Sequence, residues 1–208
     1  WATVSENLST GSILLEENDS IMMHINTLDF DESIIYNGIG AKKNNYLINL
    51  LLKLEREDYS TNLSFSQSPE DYQRSVETYI SKNSDDLESF LKINPNSELF
   101  EKVAISSIKY HYFTRKELYP FRHFGVNNLS NFKKLPSNFY DFRTEIVYND
   151  IDLKDFYPYY NFLFPHINNL ALEQLTTTNS DFILEDHKLD YTSRKLELID
   201  SLVTNTMI

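Results

Sequence analysis

A mainly α-helical fold is what this sequence predicts: an irregular bundle of antiparallel helical hairpins with a short β meander at the N-terminus. Three observations carry the prediction. Glycine is scarce, at 4 of 208 residues against a usual share of about 7%, and tight-turned all-β folds rely on Gly where φ must be positive. The apolar period changes at Gly38-Ile39-Gly40, from short strand-like runs before it to the i, i+3, i+4 spacing of a helix face after it. Helix start and stop signals then recur along the chain. Residues 1–37 accordingly read as the terminal strands of a β domain, and 38–208 as a helical domain.

The elements follow in order. Ser12 to Glu16, Ile21 to Ile25 and Ser33 to Tyr36 are short runs separated by Glu17-Asn18-Asp19 and Asp29 to Asp31, the Asn/Asp clusters that favour turns. From Ala41, the residues Tyr46, Leu47, Leu50, Leu51 and Leu54 share a helix face that runs to about Asp58. Ser60 to Ser66 reads as a loop. Ser68-Pro69-Glu70-Asp71 joins a good N-cap to a first-turn proline and two acids that complement the helix dipole. That helix stops at Asn94-Pro95-Asn96, because the residue before proline avoids the α region. Ser97 opens the next helix, striped by Leu99, Phe100, Val103, Ile108 and Tyr112, with its end expected near Leu118, ahead of Tyr119-Pro120. Residues 120–136 read as a long loop with at most one helical turn. Ser137 to Arg143 forms a short helix, Leu153 to Leu175 a helix bent at Pro158 and Pro165, and Ser193 to Thr204 the last one. No fixed-period repeat is visible.

Composition excludes several chemistries. There is no cysteine, hence no thiol nucleophile, redox pair, zinc-thiolate site or disulfide framework. The net charge of −12 opposes nucleic-acid backbones and anionic lipid. No apolar run reaches the roughly 18–20 residues of a membrane span; Tyr46 to Leu54 is broken by Asn49 and Lys53. The start at Trp1 and the finish at Met207-Ile208 within an apolar pattern read as the ends of a trimmed piece.

Catalytic and metal motifs are sparse. His24, His111, His123, His166 and His187 lack the i, i+3 or i, i+4 spacing of a helical metal site. Asp29, Asp31 and Glu32 resemble the start of a calcium loop, with Ile34 where Gly is required, and Asp150, Asp152 and Asp155 lack the Gly too. Gly38-x-Gly40 has Lys43 in place of the third glycine of a dinucleotide fingerprint, so it reads as a β-to-α turn. Neither a G-x-S-x-G nor an S-x-x-K motif occurs. No catalytic residue, cofactor or metal ligand is expected. The aromatics Tyr157, Tyr159, Tyr160, Phe162 and Phe164 crowd around Pro158 and Pro165. They are candidate binding residues on a peptide or glycan, although at helical spacing such groups more often fill cores.

The stretch from Asp29 to Leu47, with Tyr36, Asn37-Gly38-Ile39-Gly40-Ala41 and Asn44-Asn45-Tyr46-Leu47, resembles a junction of TlpA-like thiol–disulfide oxidoreductases of Bacteroidetes. In that family, a short β domain ends in such a phrase, a helical region follows, and a C-terminal thioredoxin domain with C-x-x-C completes the protein. The Ser97-Glu98-Leu99-Phe100 helix, Asn138 to Phe142 and Tyr157 to Phe164 occur in the order the resemblance implies. The close similarity spans about 20 residues and is structural: Gly38 and Gly40 turn the chain, Asn44 or Asn45 bonds the open backbone groups of the first helical turn, and Tyr46 and Leu47 begin the buried face. Lacking cysteine, the chain departs from the family's redox chemistry. The resemblance implies a periplasmic or lipid-anchored cell-envelope protein in which this region positions or dimerises a redox domain or recognises its partner. A stand-alone peptide- or glycan-binding module and a hydrolase with acids brought together by folding are the other expectations.

Overall fold

The computed structural model describes residues 2–6, 9–26, 28, 33–60, 63–94, 96–125, 129–178 and 188–204. The acidic group Asp29, Asp31 and Glu32, His187 and both chain ends lie outside the described residues. The fold is mainly α-helical. Four short strands, β1 (Ala2–Glu6), β2 (Ser9–Ile13), β3 (Ser20–His24) and β4 (Ile35–Ile39), precede α1 (Ala41–Asp58), α2 (Pro69–Ile93), α3 (Glu98–Phe124), α4 (Tyr157–Thr178) and α5 (Lys188–Thr204). Two 3-10 turns, Leu129–Lys134 and Asp141–Glu145, lie between α3 and α4.

The strands form two antiparallel pairs in place of one continuous meander. β1 pairs with β2 from Ala2↔Ile13 to Glu6↔Ser9, and β3 with β4 from Ser20↔Ile39 to His24↔Ile35. The β1 segment, Ala-Thr-Val-Ser-Glu, offers only one large apolar residue, so periodicity does not betray it. Side chains of β3 alternate as a strand requires: Ile21 and Met23 pack toward Tyr36, while Met22 on β3 and Ile35 and Ile39 on β4 are exposed.

Contacts divide the chain into two compact units, Trp1–Thr61 with Asn83–Ile108, and Asn62–Lys82 with Lys109–Ile208. The boundary expected at 37/38 falls within β4, inside the first unit, and the chain changes from strand to helix at Gly40. Its core takes Ile34 and Tyr36 from one side of that change and Ala41 and Ile48 from the other, and Tyr46 lies 4.3 Å from the Phe90 ring centroid. The second unit has an aromatic core in which Tyr72 stacks on Tyr119 at 4.1 Å and Phe113 lies 4.7 Å from Phe142.

Helix α1 has the bounds its periodicity predicts. α2 opens as its sequence signals: Ser68 Oγ accepts the Asp71 N–H at 3.2 Å and donates to the Asp71 carboxylate at 2.8 Å. α3 does not stop at Leu118 but continues through Pro120 to Phe124. Proline removes its own i→i−4 bond and crowds the preceding turn, but tertiary contacts on both sides hold the helix. Tyr119 is fully buried and donates to the Gln67 carbonyl at 2.6 Å, and His123 Nδ1 lies 2.8 Å from the Phe65 carbonyl. The helix ends at Gly125, which has φ 87° and donates its N–H to the Phe121 carbonyl, the usual conformation after a helix C-terminus. Residues 153–156, expected in the following helix, form turns, and α4 begins at Tyr157, with Pro158 in its first turn and Pro165 inside it. Among the described residues, no helix is long and apolar enough to cross a membrane.

Candidate functional site

The first candidate lies where β4 enters α1. Gly38 and Gly40 have φ of +100° and +87°. A Cβ on Gly38 would fall 2.1 Å from the Ser20 carbonyl oxygen, and one on Gly40 would fall 2.3 Å from an Asp19 carboxylate oxygen. Both glycines thus combine left-handed backbone with a close approach that only hydrogen permits. Asn44 accepts the Leu14 N–H at 2.8 Å and donates to the Leu14 carbonyl at 2.9 Å and the Gly40 carbonyl at 3.1 Å. Asn45 does the same for Tyr36, at 2.9 and 2.8 Å. Each amide therefore acts as a strand partner for one residue of extended chain. This corrects the expectation that they cap the first turn of α1: a side-chain amide has one donor face and one acceptor, which match an exposed peptide edge better than a row of N–H groups. Tyr46 and Leu47 are only half-buried; the deeper face begins at Ala41 and Asn44.

Lys43 completes this junction. Its ammonium lies 2.5 Å from Glu16 and 2.6 Å from Asp19, and the residue is buried. Burial works against the charge, but the two carboxylates outweigh it, so Lys43 titrates above the ordinary lysine value. Asp19 titrates below its usual value, because bonds from Lys43 and the Glu16 backbone outweigh its own desolvation. All of these bonds are internal to the junction, which makes it a clasp between strand and helix.

The second candidate is a buried charge network in the second unit, which no sequence motif announced. Glu117 on α3 is fully buried. Its carboxylate accepts from Arg143 Nε at 2.8 Å and Nη2 at 2.7 Å, from His166 Nδ1 at 2.8 Å and from Asn169 Nδ2 at 2.5 Å. Arg143 also grips Glu173 through Nη1, at 2.9 and 2.8 Å, and its guanidinium lies 3.7 Å from the Tyr140 ring centroid. Desolvation pushes the Glu117 carboxyl up, but the bonds from His166 and Arg143 more than reverse this and hold it below the usual carboxylate value. His166, also fully buried, places Nε2 2.7 Å from the Tyr148 hydroxyl. His166 thus sets Nδ1 against the carboxylate and Nε2 against the Tyr148 hydroxyl, the order of a carboxylate–imidazole–hydroxyl relay. The lone pairs of Glu117 are saturated, so the arrangement fixes α3, the Asp141–Glu145 turn and α4 to one another. Arg143, His166 and Asn169 lie 26 to 52 positions from Glu117 in sequence. The visible trace was a glutamate, Glu117, one helical turn after the buried Phe113 in an otherwise apolar stripe.

Beside it, Lys116 is buried with its ammonium 4.7 and 4.8 Å from the Phe139 and Phe142 ring centroids. Burial lowers its pKa to about 8, against the pull of nearby acids led by Glu77.

The third candidate is the aromatic segment of α4, which divides by face. Tyr159 is buried, donates to the Val147 carbonyl at 2.8 Å and meets Tyr110 edge-on at 5.1 Å; Phe162 is fully buried. Tyr157, Tyr160 and Phe164 are 58%, 49% and 73% exposed, and the Tyr157 and Tyr160 rings meet at 5.5 Å. The candidate binding group therefore splits: Tyr157 and Tyr160 remain available, and Tyr159 belongs to the core. Among the described residues, no three His, Asp or Glu side chains are placed to hold a metal ion.

Comparison of the chain with protein-family models, with curated proteins and with solved structures finds no match.

Proposed function

We propose that this chain is a non-catalytic helical accessory region that recognises a protein partner or a second copy of itself. In the intact cell-envelope protein it positions a TlpA-like thioredoxin domain. The observation that carries this reading is the division of α4. Its polar and aromatic groups that face inward are bonded to the protein itself, as with His166, Asn169 and Tyr159. The large side chains it offers outward are Tyr157, Tyr160 and Phe164, aromatic types that are enriched at protein interfaces. The Gly38–Leu47 junction supports the TlpA-like assignment, since Gly38 and Gly40 make the turn from strand to helix that the resemblance implies at these positions. Two tests apply. The reading frame of the intact protein carries a C-x-x-C thioredoxin domain after Ile208; its absence overturns the assignment. The isolated chain leaves insulin disulfides intact, and reduction of insulin without added thiol contradicts the non-catalytic reading.

A second reading, a stand-alone peptide- or glycan-binding module, is favoured by the same exposed aromatics. The two separate by whether the thioredoxin domain is present.

A further inference from the structure

We infer that the outer face of α4, together with the loop before it, docks a cationic amphipathic segment of another protein, apolar along its middle and rich in Lys or Arg at one end. The inference rests on the partner-recognition reading and names the partner's chemistry. Tyr157, Tyr160 and Phe164 follow one another at three and four residues, the spacing of a single helix face, and all three are exposed. Val147 and Ile151, in the loop before α4, are 56% and 72% exposed. Three large aromatic side chains thus share one exposed helix face, an apolar surface of the kind that marks an interaction site, and the segment just before it in sequence adds two exposed apolar residues.

Charge selects the occupant. From Tyr157 to Leu172, α4 contains no Asp, Glu, Lys or Arg, so the stripe itself suits an uncharged, apolar counterpart. In the segment just before it in sequence, residues 150–155 carry Asp150, Asp152 and Asp155 and a single Lys, Lys154, within a chain of net charge −12. A second copy would bring its own acids to this segment, and a neutral glycan has no charge to set against them. A basic segment answers both parts, since complementary potentials steer encounter and reject partners of like charge. Lys and Arg stems add apolar contact while their heads reach the acids.

The test uses the full chain and two fluorescein-labelled synthetic amphipathic helices, one of Leu and Lys and one of Leu and Glu, read by fluorescence anisotropy across a salt series. The Leu/Lys helix binds, and Tyr157→Ser/Tyr160→Ser/Phe164→Ser weakens it by at least roughly tenfold, about 1.4 kcal/mol, with helical circular dichroism and its melting unchanged. Asp152→Asn/Asp155→Asn weakens binding and flattens its salt dependence. If the triple substitution leaves Leu/Lys binding intact, the attraction is diffuse charge and the inference fails. If the Leu/Glu helix binds the aromatic face instead, or sedimentation shows a dimer that the triple substitution dissociates, the partner-recognition reading stands and the cationic partner is wrong. If neither helix binds and the chain sediments as a monomer with and without the triple substitution, both fail.

Discussion

Arg143→Met tests the buried network most directly. The arginine side chain is 13% exposed, its Glu117 partner 0% and its Glu173 partner 39%. Methionine retains much of the apolar stem but abandons Glu117 as a buried carboxylate bonded only to His166 and Asn169. Removing one partner of a buried pair costs about 3–5 kcal/mol, because the remaining charge is left uncompensated. The half-exposed Glu173 contact contributes at most about 1 kcal/mol. A total near 4 kcal/mol corresponds to roughly 8–16 °C in Tm for a chain of this size. Two compact units need not melt together, so near-ultraviolet dichroism of the tyrosines, which reports on Tyr140 and Tyr148 beside the network, is followed with the far-ultraviolet helical signal during urea unfolding. The pH dependence sharpens the test. Glu117 is depressed in the folded state, so its contribution is present above the unfolded carboxylate value and is lost as pH falls through the folded one. Without Arg143, desolvation pushes the carboxyl up, and acid unfolding of the variant begins at higher pH than in the parent. The loss in Glu117→Leu/Arg143→Met is smaller than the sum of the two single losses. A stability change below about 1 kcal/mol with an unmoved acid transition, the behaviour of a surface pair, refutes the reasoning.

Three further outcomes are expected. Gly38→Ala destabilises the first unit by more than the roughly 1–2 kcal/mol of left-handed backbone, because its Cβ meets the Ser20 carbonyl; urea midpoints measure this, and an Ala variant as stable as the parent contradicts the geometry. Asn44→Ala leaves the buried Leu14 N–H and carbonyl without their partner and costs about 1–3 kcal/mol per group left unsatisfied, seen as faster amide exchange at Leu14. Lys116 titrates at about 8 when folded and near 10.4 when unfolded. The unfolded chain therefore binds more protons between those values, and stability rises with pH across that window; Lys116→Met abolishes the rise, and a variant that keeps it shows that another group is responsible.

The helices were legible because their signals are local. Ser68, Asn94-Pro95 and the apolar stripe of α1 act within one or two turns, and periodicity reports them directly. The two junction glycines were legible for a related reason, since positive φ and close approach leave few other residues possible. The C-terminal end of α3 and the start of α4 were not. Pro120 carries a local penalty in any context, and tertiary contacts such as those of Tyr119 and His123 with residues 65–72 offset it. The asparagines Asn44 and Asn45 announced a bonding role but not its target, because Leu14 and Tyr36 become neighbours only when the strands fold back on α1.

By itself, then, the sequence determined a mainly helical chain, the turn at Gly38–Gly40 and an aromatic cluster around Pro158 and Pro165, each set by backbone sterics or apolar periodicity. Tertiary structure alone decided which aromatics are core and which are surface, since Tyr159 and Tyr160 are adjacent in sequence and opposite in burial. It also decided that Glu117, Arg143 and His166 form one network. Side chains separated by 26 and 49 residues share no local signal, and a buried carboxylate is tolerated only where folding brings a cation and hydrogen-bond donors to it.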